Sequence, residues 1–357
     1  MAWLAVSLAA FFLLAVAVVT DKFMLTRTTI MPLSYAFYIC LMSAAASLAL
    51  YMPILIAERR LFFPRGFPLA AVAVCGVAQF LGLFFMFEAV QRGEVSKASP
   101  VIVSLQPVVS LLLTVVLPPL LARAAPGTPL GLELVAARRL PGVAMIVAGS
   151  YLLSQAGGRK TAFTPGTWMY VLLAGLFLAL ANVFASISYT VFENTYLPAA
   201  AGAGERELMF AKAFLWTRWM SLAGALGYVT LTGRFAAAFR RKNPAGARAG
   251  NPEGASHEGA NPGGGPEMRG RWIPLVFLFG QACGALAVVL QQYAIKLGNV
   301  VSVTALGGVQ FFFVIALTAV FSRFFPRLFS EPSTRRTLVQ KVIWSALLFG
   351  GIVVLAI

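Results

Sequence analysis

Long blocks of apolar residues, separated by short polar segments, make up most of the chain. The blocks have the length, about 17–25 residues, that an α-helix needs to cross the hydrocarbon layer of a bilayer. The pattern predicts ten transmembrane spans, at residues 2–19, 31–57, 67–91, 95–121, 140–156, 167–192, 208–232, 271–297, 300–325 and 341–357. The expected fold class is therefore an all-α integral membrane protein.

Two segments require a separate interpretation. No basic residue precedes the first span and Asp21-Lys22 follows it, which favours a retained helix over a cleaved signal peptide. Residues 243–270 are rich in Gly, Pro and Ala and lack aromatic and β-branched residues. Such a composition cannot bury enough apolar surface to offset ordering, so we expect a disordered loop. A passive tether is the favoured interpretation, and binding of a partner is the alternative.

Composition and charge narrow the class of protein. The chain is 59% hydrophobic and only 11% charged, and its mean hydropathy is +0.83, which excludes an ordinary soluble domain. The net charge of +16 is that of many nucleic-acid-binding proteins. However, the basic residues stand singly or in pairs between apolar blocks, without a basic face. They indicate anchoring to anionic lipid and control of topology, so the bilayer is an expected partner and nucleic acid is not.

Residues that carry enzymatic chemistry are few. Cys40, Cys75 and Cys283 lie inside apolar blocks without metal-ligand spacing, and the single histidine, His257, lies in the 243–270 loop. The sequence has no phosphate-binding loop after a strand, no nucleophile elbow and no HExxH helix. We therefore expect no cofactor, no metal and no enzymatic activity.

A short internal similarity predicts two repeats. AVQRGEV at 89–95 resembles AIKLGNV at 294–300, and each stretch joins two long spans. A glutamine follows each about a dozen residues later, at Gln106 and Gln310. The prediction is a first repeat at 1–157 and a second at 158–357, interrupted by the loop. An odd number of spans in each repeat inverts the second copy relative to the first.

Four stretches resemble the EamA-type branch of the drug/metabolite transporter superfamily. They are DKFML (21–25), EAVQRGEVSKASPVIVSLQPVVSLLL (88–113), GVAMIVAGSYLLS (142–154) and VTALGGVQFFFVIALTAVFSRFFP (303–326). The chain departs from the family at Glu133, because Leu134 replaces the arginine of a usual Glu-Arg pair. The resemblance implies two inverted five-helix repeats around a central cavity lined mainly by helices 1, 3, 4, 6, 8 and 9. It also implies transport of a small molecule by alternating access.

Polar residues within spans are the candidates for the cavity, because polar groups are costly in hydrocarbon. In the sixth span Asn182, Ser186, Tyr189 and Glu193 share one helical face. This face either lines the cavity or forms hydrogen bonds to neighbouring helices. The other residues predicted to line the cavity or bind substrate are Gln79, Ser99, Gln106, Ser110, Gln281, Gln292, Tyr293 and Gln310.

Arg218 is the most informative single residue. It lies about ten residues into the predicted seventh span, between Trp216 and Trp219. A guanidinium near the membrane centre costs about 2.5–3.5 kcal/mol unless it meets water or a carboxylate. Arg218 is therefore predicted to line the cavity. The alternative is an interface residue beside two belt tryptophans.

Three charged residues are candidates for coupling transport to an ion. They are Lys22, Glu88 and Glu193. Each also has a structural interpretation: Lys22 as a membrane anchor, Glu88 as the ion-pair partner of Arg92 four residues on, and Glu193 as an interface residue.

The sequence thus predicts a secondary transporter that exports a small organic metabolite. The alternatives are a flippase for a lipid carrier or sugar-lipid, a membrane-embedded transferase and a non-catalytic assembly factor. The expected location is the bacterial cytoplasmic (inner) membrane, and a homodimer is left open. The family implies cytoplasmic termini, whereas loops after odd-numbered spans hold 18 basic residues against nine after even-numbered ones. The charge rule therefore opposes the family expectation on orientation.

Overall fold

A computed structural model describes most of the chain. It covers residues 2–27, 32–59, 61–92, 95–121, 130, 132, 137, 140–155, 165–198, 200–233, 273–324 and 335–356. Within these ranges the regular structure is entirely helical. The predicted disordered loop at 243–270 lies outside them.

Eleven α-helices occur in the described ranges. They are α1 (Ala2–Arg27), α2 (Pro32–Glu58), α3 (Phe67–Arg92), α4 (Val95–Leu121), α5 (Leu140–Gln155), α6 (Pro165–Tyr196), α7 (Ala203–Leu231), α8 (Ile273–Leu297), α9 (Val300–Leu306), α10 (Val309–Phe324) and α11 (Arg335–Ala356). Six of them contain segments long and apolar enough to cross a membrane: Ala2–Thr20, Pro32–Glu58, Phe67–Gln91, Val101–Leu121, Gly166–Tyr196 and Phe277–Leu297. The chain is therefore a multi-pass α-helical membrane protein, as predicted, and the count of ten spans stays a prediction.

The predicted ninth span is interrupted by a short, tighter turn about a third of the way along it. Residues 300–324 form two helices, α9 and α10, that meet at Gly307-Gly308. The turn between them uses short-range hydrogen bonds, from the Gly307 N–H to the Thr304 carbonyl (3.1 Å) and from the Gly308 N–H to the Ala305 carbonyl (3.2 Å). Two consecutive glycines weaken a helix, and the tighter bonding of the turn ends α9 there.

Small residues allow the helices to approach closely. α3 packs along both α6 and α7, α1 packs along α8, and α5 packs along α11. At Gly76 a Cβ atom would lie less than 3 Å from the backbone of Met220 and Ser221 in α7. Glycine is therefore required where α3 and α7 touch, which is the usual way in which transmembrane helices pack without a hydrophobic driving force.

One end of the bundle, called end A below, gathers the last turns of α2, α6 and α8 and the first turns of α3 and α7. The Lys212–Glu58 ion pair (2.6 Å) joins α7 to α2, and the Lys296–Glu193 ion pair (3.2 Å) joins α8 to α6. The Arg65 N–H donates to the Tyr196 hydroxyl (2.9 Å) just before α3 begins. The opposite end, end B, contains the first turns of α2, α4, α6 and α8 and the last turn of α3.

Candidate functional site

A cavity of about 260 Å³ lies inside the bundle. Nine of the described helices contribute to its wall, α1–α4 and α6–α10. The contribution of α9 is Thr304. Most of the wall is apolar, with aromatic and sulfur-containing side chains such as Phe11, Met86 and Phe87. Its polar part consists largely of amide side chains. Six glutamines line the cavity: Gln79, Gln106, Gln281, Gln291, Gln292 and Gln310.

The structure brings eight of the twelve residues predicted to line the cavity into its wall. They are Gln79, Ser99, Gln106, Asn182, Arg218, Gln281, Gln292 and Gln310. Sequence reasoning missed Gln291, Ser221, Thr304 and Gly307, which also line it. Gln291 had the clearest signal, because it is an amide inside an apolar span next to Gln292.

The other four predicted residues lie elsewhere. Tyr189 sits behind the wall, where its hydroxyl donates to Oε1 of the lining residue Gln292 (3.1 Å). Ser110 and Ser186 are buried but do not line the cavity. Tyr293 donates to Glu207 Oε1 (3.1 Å) at end A. The polar face of α6 therefore divides between the two interpretations, since Asn182 lines the cavity and Tyr189 bonds a neighbouring helix.

A chain of side-chain hydrogen bonds crosses the cavity wall. Asn182 Nδ2 donates to Gln106 Oε1 (3.3 Å) and Gln292 Nε2 donates to Asn182 Oδ1 (3.4 Å). With the Tyr189–Gln292 bond, this chain links α4, α6 and α8. The two amide–amide distances exceed the usual 2.9–3.0 Å for N–H···O bonds. The amides are thus held near one another by weak bonds that a polar ligand can replace.

Arg218 lies fifteen residues after the start of α7 and is only 3% exposed. Its Nε donates a long hydrogen bond to Thr217 Oγ1 (3.4 Å), and its guanidinium carbon lies 5.2 Å from the centre of the Phe214 ring. Its Nη2 is buried without a hydrogen-bond partner in the described part of the chain. The structure thus places Arg218 inside the protein, in the cavity wall, and not among belt residues at the interface.

Arg218 takes part in none of the ion pairs that the described residues form. Lys212 pairs with Glu58, and Lys296 contacts both Glu193 (3.2 Å) and Glu207 (3.5 Å). Lys212 lies inside α7 and is 7% exposed. Lys212 and Lys296 at end A therefore have carboxylate partners, whereas Arg218 has none among the described residues.

The three coupling candidates are dispersed. Glu193 belongs to the ion pairs at end A, and neither it nor Glu88 lines the cavity. Glu88 is half-buried near the end of α3. Lys22 lies in α1, and its side chain is outside the described part of the structure.

An aromatic layer separates the cavity from end A. The Tyr189 ring lies 4.9 Å from that of Phe210, which lies 5.5 Å from that of Tyr293. Lys296 Nζ stands 5.5 Å from the Phe210 ring centre and carries the contacts to Glu193 and Glu207. Toward end B the wall continues to Val90, two residues before the end of α3. The cavity is thus covered by packed rings and ion pairs on one side.

The fold and its membrane-length apolar helices define a multi-pass α-helical membrane protein with a central cavity. Residues 1–118, which span α1 to α3 and nearly all of α4, match the model of the EamA-like transporter family. The match confirms the resemblance to the EamA-type branch of the drug/metabolite transporter superfamily in this part of the chain. It includes the cavity residues Gln79, Ser99 and Gln106, whereas Arg218 lies beyond it.

Two further comparisons bear on the fold. A solved crystal structure of a protein is similar with a TM-score of 0.57 and 15% identity, and the match covers 99% of this chain and 96% of that one. At this identity the similarity concerns the fold alone, but it extends over the whole chain. No curated protein matches the chain significantly.

Proposed function

We propose that this protein is a secondary transporter that moves a small organic molecule across a membrane by alternating access. The observation that carries the proposal is a cavity with a few polar groups, buried in a multi-pass bundle and covered at end A. Ligand sites are typically concave, mostly apolar and supplied with a small number of polar groups. Here Arg218, Asn182 and the glutamines are those groups.

The tight turn between α9 and α10 supports transport. Thr304, Gly307 and Gln310, on both sides of the break between α9 and α10, line the cavity. Discontinuous helices near the membrane centre form substrate and ion sites in many transporters, because irregular backbone is tolerated there only beside a cavity.

The packing supports two inverted five-helix repeats, 1–157 and 158–357. α3 packs along α6, and the equivalent helix of the other repeat, α8, packs along α1. α2 packs on α7 and α5 on α11, which are also equivalent pairs. Alternating access then consists of opening one end while the other closes. In the conformation described here end A is the closed end, and opening it requires Lys296 to leave Glu193 and Glu207.

Transport in this proposal is driven by a gradient, since the sequence offers no nucleotide-binding motif. Export is the proposed direction, by analogy with the family. The cavity volume lies just below the range of about 300–1,000 Å³ typical of ligand pockets, which favours a small solute over a lipid-linked sugar.

The test is solute flux in proteoliposomes with a matched pair of blocking variants on α4. Ser99→Trp places an indole in the cavity wall, whereas Leu112→Trp places one on a 60% exposed position. Labelled organic acids, amides and amines are each tested for uptake by counterflow; flux of at least one of these classes should occur with the wild type and Leu112→Trp, and be lost in Ser99→Trp. Lipid scrambling without solute flux would identify a flippase instead. The absence of both solute flux and lipid scrambling in a well-folded protein would contradict the transport proposal.

A further inference from the structure

We propose that the cavity binds small organic anions that consist of a carboxylate on an apolar body, and that Arg218 binds the carboxylate. The inference rests on the transport function proposed above and names the substrate class of the same cavity.

The charge of the cavity wall is the first argument. Among the thirty described residues that line the cavity, Arg218 is the only one with a formal charge. The other described residues of the wall supply amides, hydroxyls, one thiol and apolar groups, but no carboxylate. An organic cation would therefore meet a repelling charge and no counter-ion. A carboxylate would meet the guanidinium in a site of low dielectric, where the attraction is strong.

The unused hydrogen-bonding capacity of Arg218 is the second argument. A guanidinium has five N–H donors, and here one of them makes a 3.4 Å bond to Thr217 while Nη2 makes none. Phe214 covers the group at 5.2 Å without accepting a conventional hydrogen bond. Buried charges in proteins are normally paired. A ligand carboxylate would supply both the charge and the acceptors, in the two-bond geometry that arginine favours.

A carboxylate from the protein is the rival partner. Glu58, Glu193 and Glu207 are engaged by lysines at end A, and Glu205 caps α7 by accepting from the Gly202 N–H (3.0 Å). Asp21 is the acid that follows the lining residues Ala17 and Val18 in α1, and its side chain lies outside the described residues. The experiment therefore has to separate a ligand for Arg218 from a pair with Asp21.

The remainder of the wall defines the rest of the ligand. Leu83, Met86, Phe87 and Val288 offer an apolar surface of aliphatic and aromatic side chains. The weakly bonded amides of Gln106, Asn182 and Gln292 can hold one neutral polar substituent. The volume of about 260 Å³ restricts the body to a single ring or a short chain.

The experiment compares ligands and variants of the purified full-length protein. Phenylacetate and hexanoate are tested beside their neutral amides and the corresponding amines, with thermal stability and equilibrium binding as readouts. The carboxylates should bind the wild type at least about tenfold more tightly than the amides, as expected for hydrogen bonds to a charged group. Arg218→Gln should remove this preference and leave amide binding unchanged, and Arg218→Lys should retain part of it.

A second readout needs no ligand. If Arg218 has no protein counter-ion, Arg218→Gln removes an unpaired buried charge and should raise the melting temperature of the empty protein. If Arg218 pairs with Asp21, the same variant should lower it, and adding Asp21→Asn should restore it. The matched control is Glu58→Gln/Lys212→Gln, which removes a buried cation outside the cavity and should keep the carboxylate preference.

Each result decides the inference. A carboxylate preference that depends on Arg218, with a more stable empty Arg218→Gln protein, supports it. The inference is overturned if acids and amides bind equally well, or if Arg218→Gln leaves the melting temperature of the empty protein unchanged. It is also overturned if Asp21→Asn restores a melting temperature that Arg218→Gln has lowered. Flux of neutral solutes that is independent of Arg218 would overturn the anion specificity and leave the transport function standing. Loss of all solute flux in the wild type would contradict the function itself.

Discussion

Positively charged side chains are buried or partly buried in two regions of this protein, and the regions differ in whether those charges form ion pairs. At end A, Lys212 lies 2.6 Å from Glu58, and Lys296 has Glu193 and Glu207 as well as the Arg206 carbonyl (3.0 Å). In the cavity wall, Arg218 is buried more deeply and has one long bond to a threonine. The lysines are satisfied by the fold itself. The arginine is left with donors that the described residues do not use.

The difference separates charges that stabilise from charges that bind. Removing one member of a buried ion pair leaves an uncompensated charge and is strongly destabilising. Removing a charge that was never compensated should have the opposite sign. Stability measurements on single variants can therefore classify each buried cation without knowledge of the substrate.

The largest effect on stability is expected from Glu58→Gln. This variant leaves the Lys212 ammonium, 9% exposed in its side chain, without a counter-ion among the described residues; an amide oxygen at position 58 and the Phe62 ring at 5.2 Å remain as weaker contacts. We expect a loss of about 3 kcal/mol, at the low end for a broken buried pair because Glu58 is partly exposed. Equilibrium unfolding in mild detergent measures it.

The control for this prediction is the double variant Glu58→Gln/Lys212→Met, which removes both charges and should recover most of the loss. A Glu58→Gln protein as stable as the wild type would show that the pair contributes nothing. End A and the cavity would then no longer differ in how they hold charge.

A second prediction compares access to neighbouring positions of α6. Asn182 lines the cavity and Ser186, one turn away, does not, although both are buried. In a background with Cys40, Cys75 and Cys283 replaced by serine, Asn182→Cys should react with a water-soluble maleimide at least about tenfold faster than Ser186→Cys. The labelling rate in proteoliposomes is the measurement. Equal rates would mean that the water-accessible path does not follow the cavity.

A third prediction concerns the amide chain. Asn182→Leu removes two weak bonds, of 3.3 and 3.4 Å, at little cost in packing. Side-chain hydrogen bonds in membrane proteins average about 0.6 kcal/mol, so the melting temperature should change little. Transport should fall several-fold, because a polar group that faces the substrate is lost. Thr190→Val, which removes a bond within α6 to the Ser186 carbonyl, is the matched control and should leave flux unchanged.

The helices and part of the cavity wall could be predicted from the sequence. The apolar blocks predicted most helix ends to within a few residues, and the cost of burying a guanidinium predicted that Arg218 belongs to the cavity. Helical spacing placed Asn182 and Ser186 on one face, but it could not distinguish a face that lines the cavity from one that contacts a neighbouring helix. Only the packing of α6 on α3 and α4 decides that.

Features that depend on distant residues were beyond the sequence. The pairing of Lys212 with Glu58 joins residues 154 positions apart. Tyr293 was predicted to line the cavity, as was its neighbour Gln292. However, adjacent helical residues point about 100° apart, and the Tyr293 hydroxyl reaches Glu207 at end A. The break at Gly307-Gly308 lies inside an uninterrupted apolar block, so hydropathy gave no signal for it.

The smallest effects should come from the outer part of end A, where exposure decides the strength of an ion pair. Glu193 is 26% exposed in its side chain and lies 3.2 Å from Lys296, whereas Glu207 is 49% exposed and lies 3.5 Å away. Solvent and salt screen the more exposed pair. We therefore expect Glu207→Gln to cost less than about 0.5 kcal/mol and Glu193→Gln about 1 kcal/mol.

Salt makes this last difference measurable even though both effects are small. In 1 M salt the cost of Glu207→Gln should disappear, while part of the cost of Glu193→Gln should remain, because a partly buried pair is screened less. The Tyr293 hydroxyl can still donate to the amide oxygen of Gln at position 207, so that hydrogen bond does not confound the comparison. Melting curves of both variants at low and high salt provide the test. Equal costs that vanish together would show that Lys296 is held mainly by the Arg206 carbonyl, and that end A opens without breaking a buried ion pair on α6.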